Sequence, residues 1–275
     1  MSGLRALGVY AVLLGLAAVH IAPIVFMVAG SLKPDARVLA DMGTTAAFVP
    51  AHASLDNYAD VFARVDFGRF LLNSILITGS IMLGGLLVNG FLGYALARLR
   101  WPGRGMVLAV VLALLILPLE AIAVPLFYQV TVLGWRDTYL VQILPFVANA
   151  FFVYLFYVFF LGLPRELEEA ARMDGAGVLG TYFRIIVSNA RPAFATVAIP
   201  TFLFQWGQYL WPLLVTSGER VRSLPEAIAA FRTLPPLQWG DILAFGVMMV
   251  APVVGVFLVF QRWFVRGVAA SGLKG

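Results

Sequence analysis

Glu120 is the one ionisable side chain that hydropathy places well inside an apolar segment, between Pro118 and Pro125. A carboxylate at that depth is costly unless it faces water or a partner. The two prolines free backbone carbonyls nearby, which is tolerated where helices line a cavity. Other apolar segments carry Asn149, Gln205, Gln208 and Tyr209. Together these groups can bond the hydroxyls of a polyhydroxyl solute and stack on its C–H faces. A plainer reading stays open: Glu120 sits at the head groups, the amides bridge helices, and aromatics such as Trp211 anchor at the interface.

Chemistry carried by the chain alone is hard to find. There is no G-x-x-x-x-G-K-[ST] phosphate loop, no G-x-S-x-G elbow and no H-E-x-x-H. Cysteine is absent, which excludes disulfides and thiolate metal sites, and His20 and His52 are too few and too isolated for a metal cage. No catalytic residue, metal or cofactor of its own is expected.

These side chains must be positioned by membrane helices. Of 275 residues, 61% are hydrophobic and 12% charged, against about 25% charged in an ordinary soluble domain. Apolar runs near 20 residues, the length that crosses a bilayer, predict an all-α polytopic protein. Its spans fall near 7–30, 72–97, 106–130, 139–162, 193–215 and 242–264, within one domain over 1–275. The first run exceeds the ~7–15 residues of a signal-peptide core and is read as an uncleaved span. Barrel-type alternation is absent. Between the first two spans, Tyr58–Phe67 has the amphipathic pattern of a helix lying on the membrane surface. Gly79, Gly84, Gly85, Gly90 and Gly93 stud the second span and allow close helix approach.

The net charge of +5 is modest and spread along loops, which suits membrane orientation rather than nucleic-acid binding. Lys and Arg favour the side carrying both termini, through Arg5, Arg98, Arg100, Arg104, Arg165, Arg172, Arg184, Arg191, Arg262, Arg266 and Lys274. Both termini are therefore predicted to be cytoplasmic.

On that side lies the longest polar gap of the second half, 164–191. Pro164 can open a helix whose Glu166, Glu168 and Glu169 favour its positive end. Ala170 and Ala171 keep one face small, Asp174-Gly175 supplies a turn, and a second short helix is expected over Val178–Val187.

Glu169, Ala170, Ala171, Asp174, Gly175 and Ala176 closely resemble the EAA loop, E-A-A-x-x-D-G-A, of permease subunits of bacterial binding-protein-dependent ABC importers. Tyr182, Ile185 and Pro192 continue the likeness, while Ser188 stands where the family usually has a proline. Ser31-Leu32-Lys33-Pro34, Asp56-Asn57-Tyr58, Asn73-Ser74, Gly93–Arg98, Pro102-Gly103-Arg104, Pro164–Leu167, Leu210–Leu213 and Ser271–Gly275 look like further signatures. They point to the maltose-type, MalG-like carbohydrate permeases. The resemblance implies a multi-pass subunit of the bacterial cytoplasmic membrane that moves a carbohydrate or polyol-like solute by alternating access. It also implies a second permease, an ATP-binding cassette ATPase dimer holding ATP–Mg, an extracytoplasmic solute-binding protein and a cytoplasmic coupling helix at Glu169–Ala176. A self-contained secondary transporter would show internal duplication and several buried ionisable groups, and neither is evident. A non-transporting membrane scaffold is the other alternative.

Overall fold

The computed structural model describes residues 3–50 and 52–272, with side chains over 6–50 and 52–260. The Leu273-Lys274-Gly275 end of the tail signature lies outside the described residues, as do the side chains of Arg5, Arg262, Arg266 and Lys274. All regular structure among the described residues is helical. The chain forms two compact units, Met1–Leu71 with Leu224–Gly255, and Leu72–Ser223 with Val256–Gly275.

The first unit holds α1 (Gly3–Ser31), α2 (Asp35–Ala40), α3 (Asp56–Arg64), the start of α4 (Phe67–Arg98), α14 (Leu224–Phe231) and the first part of α15 (Trp239–Gly272). The surface helix expected to reach Phe67 stops at Arg64, because Val65 is extended and Phe67 opens the next helix. Where α1 ends, the Asn57 amide donates to Ser31 O and Lys33 O, both at 2.8 Å. Gly240 is required beside it, since a Cβ there would lie 2.7 Å from that amide. Lys33, 1% exposed, is neutralised by Asp41 at 2.9 Å. Arg64 does the most. It pairs with buried Asp241 at 2.7 Å, donates to Leu234 O and Pro236 O, and lies 4.7 Å from the Phe231 ring centroid.

The second unit contains most of α4, then α5 (Arg104–Leu114), α6 (Leu119–Val132), α7 (Tyr139–Val147), α8 (Ala150–Leu161), α9 (Glu166–Met173), a short helical segment over 178–189, α12 (Arg191–Trp206) and α13 (Leu210–Val215). The label α10 denotes Val178–Gly180 and α11 denotes Val187–Asn189, on either side of a π-helical turn at Thr181–Ile186. Gly93 brings α4 against α8: a Cβ there would stand 2.6 Å from Phe156 Cβ and 3.1 Å from Val153 O. That contact sits in a core of Tyr94, Ala97, Phe152, Phe156, Phe160, Tyr182 and Ile186.

The helices break more often than hydropathy suggests. Ala6–Ser31, Phe67–Arg98, Tyr139–Leu161 and Trp239–Phe260 are long and apolar enough to cross a membrane. The third expected span is instead the pair α5 and α6, bent by 107°. The fifth is interrupted at Gly207–Tyr209, leaving α12 with 16 residues. Within the fourth, Val147 and Asn149 flank a break that α4 holds: Asn89 Nδ2 donates to Val147 O, and Asn149 N donates to Asn89 Oδ1 at 2.8 Å.

After α6 the chain turns at Gly134 (φ +69°), and Asp137 (φ +56°) ties the turn to the loop after α13. The Asp137 carboxylate accepts from the Ser217 and Gly218 amides. The Ser217 amide above all holds this carboxyl below the usual carboxylate range; slight burial opposes the shift, and Gly218 and Arg136 add to it.

Two outcomes are expected. Arg64→Ala strips the partner from a buried carboxylate and lowers stability to unfolding in detergent by about 3 kcal/mol, with Arg64→Lys recovering only part; an unchanged midpoint for the alanine variant would refute this role. For Asp137 the folded pKa is depressed, so its contribution is present above the unfolded value of about 3.9 and is lost as pH falls through the folded value. Asp137→Ala should therefore lower the thermal midpoint at pH 7, with the gap to the unsubstituted protein closing below about pH 4.

Candidate functional site

The expected coupling sequence forms a built helix end. Helix α9 closes with Asp174 as its last half-helical residue and Gly175 beyond it at φ +78°. The Ala176 amide reaches back to Ala171 O at 2.9 Å and the Gly175 amide to Arg172 O at 3.0 Å. These are the two hydrogen bonds of a Schellman ending, whose apolar contact joins the third residue from the end to the second residue past it. Ala171 and Ala176 occupy those positions. No heavy atom lies within 4 Å of a Cβ built on Gly175, so conformation rather than space demands glycine there.

One face of this segment is anchored and the other is open. Glu168 and Ala171 are buried, one helical turn apart, whereas Glu169, Ala170, Asp174 and Gly175 are exposed. Arg98, at the end of α4, donates Nε to Glu168 Oε1 at 2.8 Å and Nη2 to Pro164 O at 3.0 Å. Met173 is 89% exposed, and Val178, Leu179 and Phe183 are exposed beside it.

The second anchor is Tyr182, in the π-helical turn and 1% exposed. Its ring packs 5.1 Å from Tyr94 and 4.7 Å from Phe91, centroid to centroid. Its hydroxyl is buried without a hydrogen-bond partner, and burial pushes the phenol up to about 12. Gly90 leaves room for it, since a Cβ there would fall 2.6 Å from Tyr182 Oη. The helix runs through Ser188; the chain departs from helical geometry at Ala190 (φ −99°, ψ 13°), and α12 begins at Arg191-Pro192.

The residues expected along a solute path do not converge as a set. Gln205 and Gln208 share a cavity of about 20 Å³ with Ser74, Thr78, Gln142, Trp206, Trp211 and Ser223, room for about one water. Glu120, Asn149 and Tyr209 do not line it. Glu120 is exposed in the first turn of α6, just past the bend, where a carboxylate suits the helix dipole. Asn149 is the N-cap of α8 and accepts from Phe151 N and Phe152 N. Tyr209, 41% exposed, ends the break before α13. Trp211, read from sequence as an interfacial anchor, is instead 1% exposed and donates its indole N–H to Val141 O at 2.9 Å. Asn89, Arg98 and Glu168 were not singled out as site residues by sequence reasoning. The helical i, i+3 spacing of Glu168 and Ala171 is the signal that marks a shared inward face.

Residues 89–270 match the family described as binding-protein-dependent transport system inner membrane component. The arabinooligosaccharides transport system permease protein of Halalkalibacterium halodurans is 33% identical over 261 residues, covering 94% of this chain and 93% of the relative. The sn-glycerol-3-phosphate transport system permease protein of Yersinia enterocolitica is 35% identical over 74% of each chain. The diacetylchitobiose uptake system permease protein of Streptomyces coelicolor is 32% identical over 92% of this chain and 84% of its own length. Among solved structures, a chain of a bacterial ABC transporter involved in the import of the acidic polysaccharide alginate superposes with a TM-score of 0.79 at 25% identity, covering 96% of this chain and 98% of that one.

The Gly90–Tyr182 contact generates a double-mutant test. Gly90→Ala should cost roughly 1–3 kcal/mol through overpacking. Tyr182→Phe should be nearly neutral, because it removes an unpaired buried hydroxyl. Combined, the two should cost less than Gly90→Ala alone. Additive penalties in denaturant unfolding would show that the hydroxyl is not what Gly90 makes room for.

Proposed function

Because the chain belongs to the family of binding-protein-dependent transport system inner membrane components, we propose that it is one permease subunit of an ATP-driven importer. The relatives named above are transport permeases. In this reading the chain pairs with a second permease, receives solute from an extracytoplasmic binding protein, and is driven by an ATP-binding cassette dimer that holds the ATP–Mg. Both termini and the α9 segment face the cytoplasm.

The observation that carries the reading is the α9 segment, which joins a rigid base to an open tip. Ion-paired Arg98–Glu168 and buried Tyr182 bind it to the α4–α8 core. Glu169, Asp174 and the exposed Met173, Leu179 and Phe183 are left for a partner. A push on such a tip reaches the spans through packed side chains rather than through a flexible linker.

The cargo class rests on the relatives. Their names specify arabinooligosaccharides, diacetylchitobiose and sn-glycerol-3-phosphate, so a carbohydrate, with a polyol phosphate as the alternative, is the proposed solute. Gln205 and Gln208, beside the small polar cavity, are the first candidates to meet it, with Glu120, Asn149 and Tyr209 as further candidates.

Gly175→Val forces a β-branched residue into a left-handed conformation, and Glu169→Lys reverses the charge of the exposed tip. Each is expected to leave membrane insertion intact and to cut solute uptake at least tenfold while the co-purified ATPase keeps hydrolysing ATP. Uptake at the unsubstituted rate in both variants, or uptake that continues without ATP hydrolysis, would sink the assignment.

A further inference from the structure

Beside the anchored face of α9 lies a pocket of about 710 Å³, within the range of ligand-binding pockets. It is lined by Arg98, Arg100, Arg165 and Arg172, the carboxylates of Glu168 and Glu169, and the apolar Leu99, Trp101 and Val178. The Arg98–Glu168 pair neutralises itself at 2.8 Å with both side chains nearly buried. Arg100, Arg165 and Arg172 are exposed and form no ion pair among the described residues, and only Glu169 opposes them. The balance is cationic.

Its place in the fold indicates the occupant. Leu99, Arg100 and Trp101 belong to the turn between α4, which ends at Arg98, and α5, which begins at Arg104. This side of the pocket is therefore within one helical turn of two apolar helices, α4 and α5. The Trp101 indole donates to Ala95 O at 3.2 Å, which fixes its ring against the end of α4. Asp174 and Gly175 do not line it, so the pocket lies on the flank of the coupling segment rather than at its tip. Guanidiniums bond phosphate oxygens in bidentate fashion, and basic pockets at the ends of membrane helices hold anionic head groups.

We propose that this pocket binds the phosphate-bearing head group of an anionic membrane lipid, with Arg100, Arg165 and Arg172 on the phosphate and Leu99, Trp101 and Val178 against the start of the acyl chains. A lipid held there bridges the α4–α5 turn and α9, so the bilayer itself stiffens the attachment of the coupling segment. That last effect rests on the coupling function proposed above; the binding does not.

The test uses the full chain purified with its co-isolated subunits, delipidated in detergent and titrated with phosphatidylglycerol or with phosphatidylcholine of the same acyl chains, retention being read by native mass spectrometry. Phosphatidylglycerol should be preferred. Arg100→Gln and Arg165→Gln should each weaken its retention about fivefold, the effect of one interfacial charge. Arg184→Gln, an equal charge change on the same segment outside the pocket, should not. Equal retention of the two lipids, or an equal loss with Arg184→Gln, overturns the site. So does thermal stabilisation by inorganic phosphate with none by phosphatidylglycerol. If the Arg100/Arg165 double variant releases the ATPase while its lipid retention is unchanged, the pocket is a protein contact and the proposal fails with the coupling assignment intact. Conversely, failure of Glu169→Lys and Gly175→Val to uncouple transport would leave the lipid result standing.

Discussion

A helix that stops inside hydrocarbon strands backbone groups with no water to receive them, and four buried carboxamides of this protein take up backbone groups where helices end or break. Asn57 takes up carbonyls where α1 ends. Asn73 donates to Arg220 O and Arg222 O, and Gln142 donates to Val221 O. Asn89 serves both sides of the break before α8, accepting from one amide and donating to one carbonyl. A carboxamide suits this work because it carries donor and acceptor on one short arm without a charge to desolvate. At the break before α8 the Asn89 amide holds both sides in one geometry.

The end of α9 answers the need to satisfy terminal backbone groups in another way. Its E-A-A-x-x-D-G-A pattern becomes intelligible position by position. The second alanine is the third residue from the helix end, the aspartate closes the helix, glycine takes the left-handed position, and the last alanine returns an amide to the helix. Gly134 repeats the arrangement at the end of α6, where Trp135 N reaches Val130 O at 3.0 Å and both residues join a packed cluster. The tryptophan ring ties that turn to the cluster. Alanine at the matching position of α9 leaves that turn standing clear.

How far the fold could be read from sequence follows from what each signal measures. Hydropathy reports composition along the chain, so it located the apolar segments but not the bend after Leu114, where an apolar run simply changes direction, or the interruption at Gly207–Tyr209. The Asp174-Gly175 turn was legible because left-handed backbone needs a particular residue. The solute path was not, because an amide in a span looks the same whether it meets cargo or caps a helix, and Asn149 caps one. Trp211 was misread for a similar reason: an indole suits an interface, but its N–H is equally satisfied by a buried carbonyl such as Val141 O. Glu168 was passed over beside Glu169 because a motif ranks neighbours by identity, whereas the helix ranks them by face.

The Arg64–Asp241 pair bears on how the protein is made. Its partners are 177 residues apart, and both belong to the unit assembled from two sequence-distant stretches, Met1–Leu71 and Leu224–Gly255. At 5–20 residues per second, ribosomal synthesis leaves about 9–35 s between the emergence of the arginine and of its carboxylate. Over that interval Leu72–Ser223 is made and becomes available to fold, while α3 waits with its cation unanswered. The ion pair of α3 can therefore form only after the whole of Leu72–Ser223 has been made.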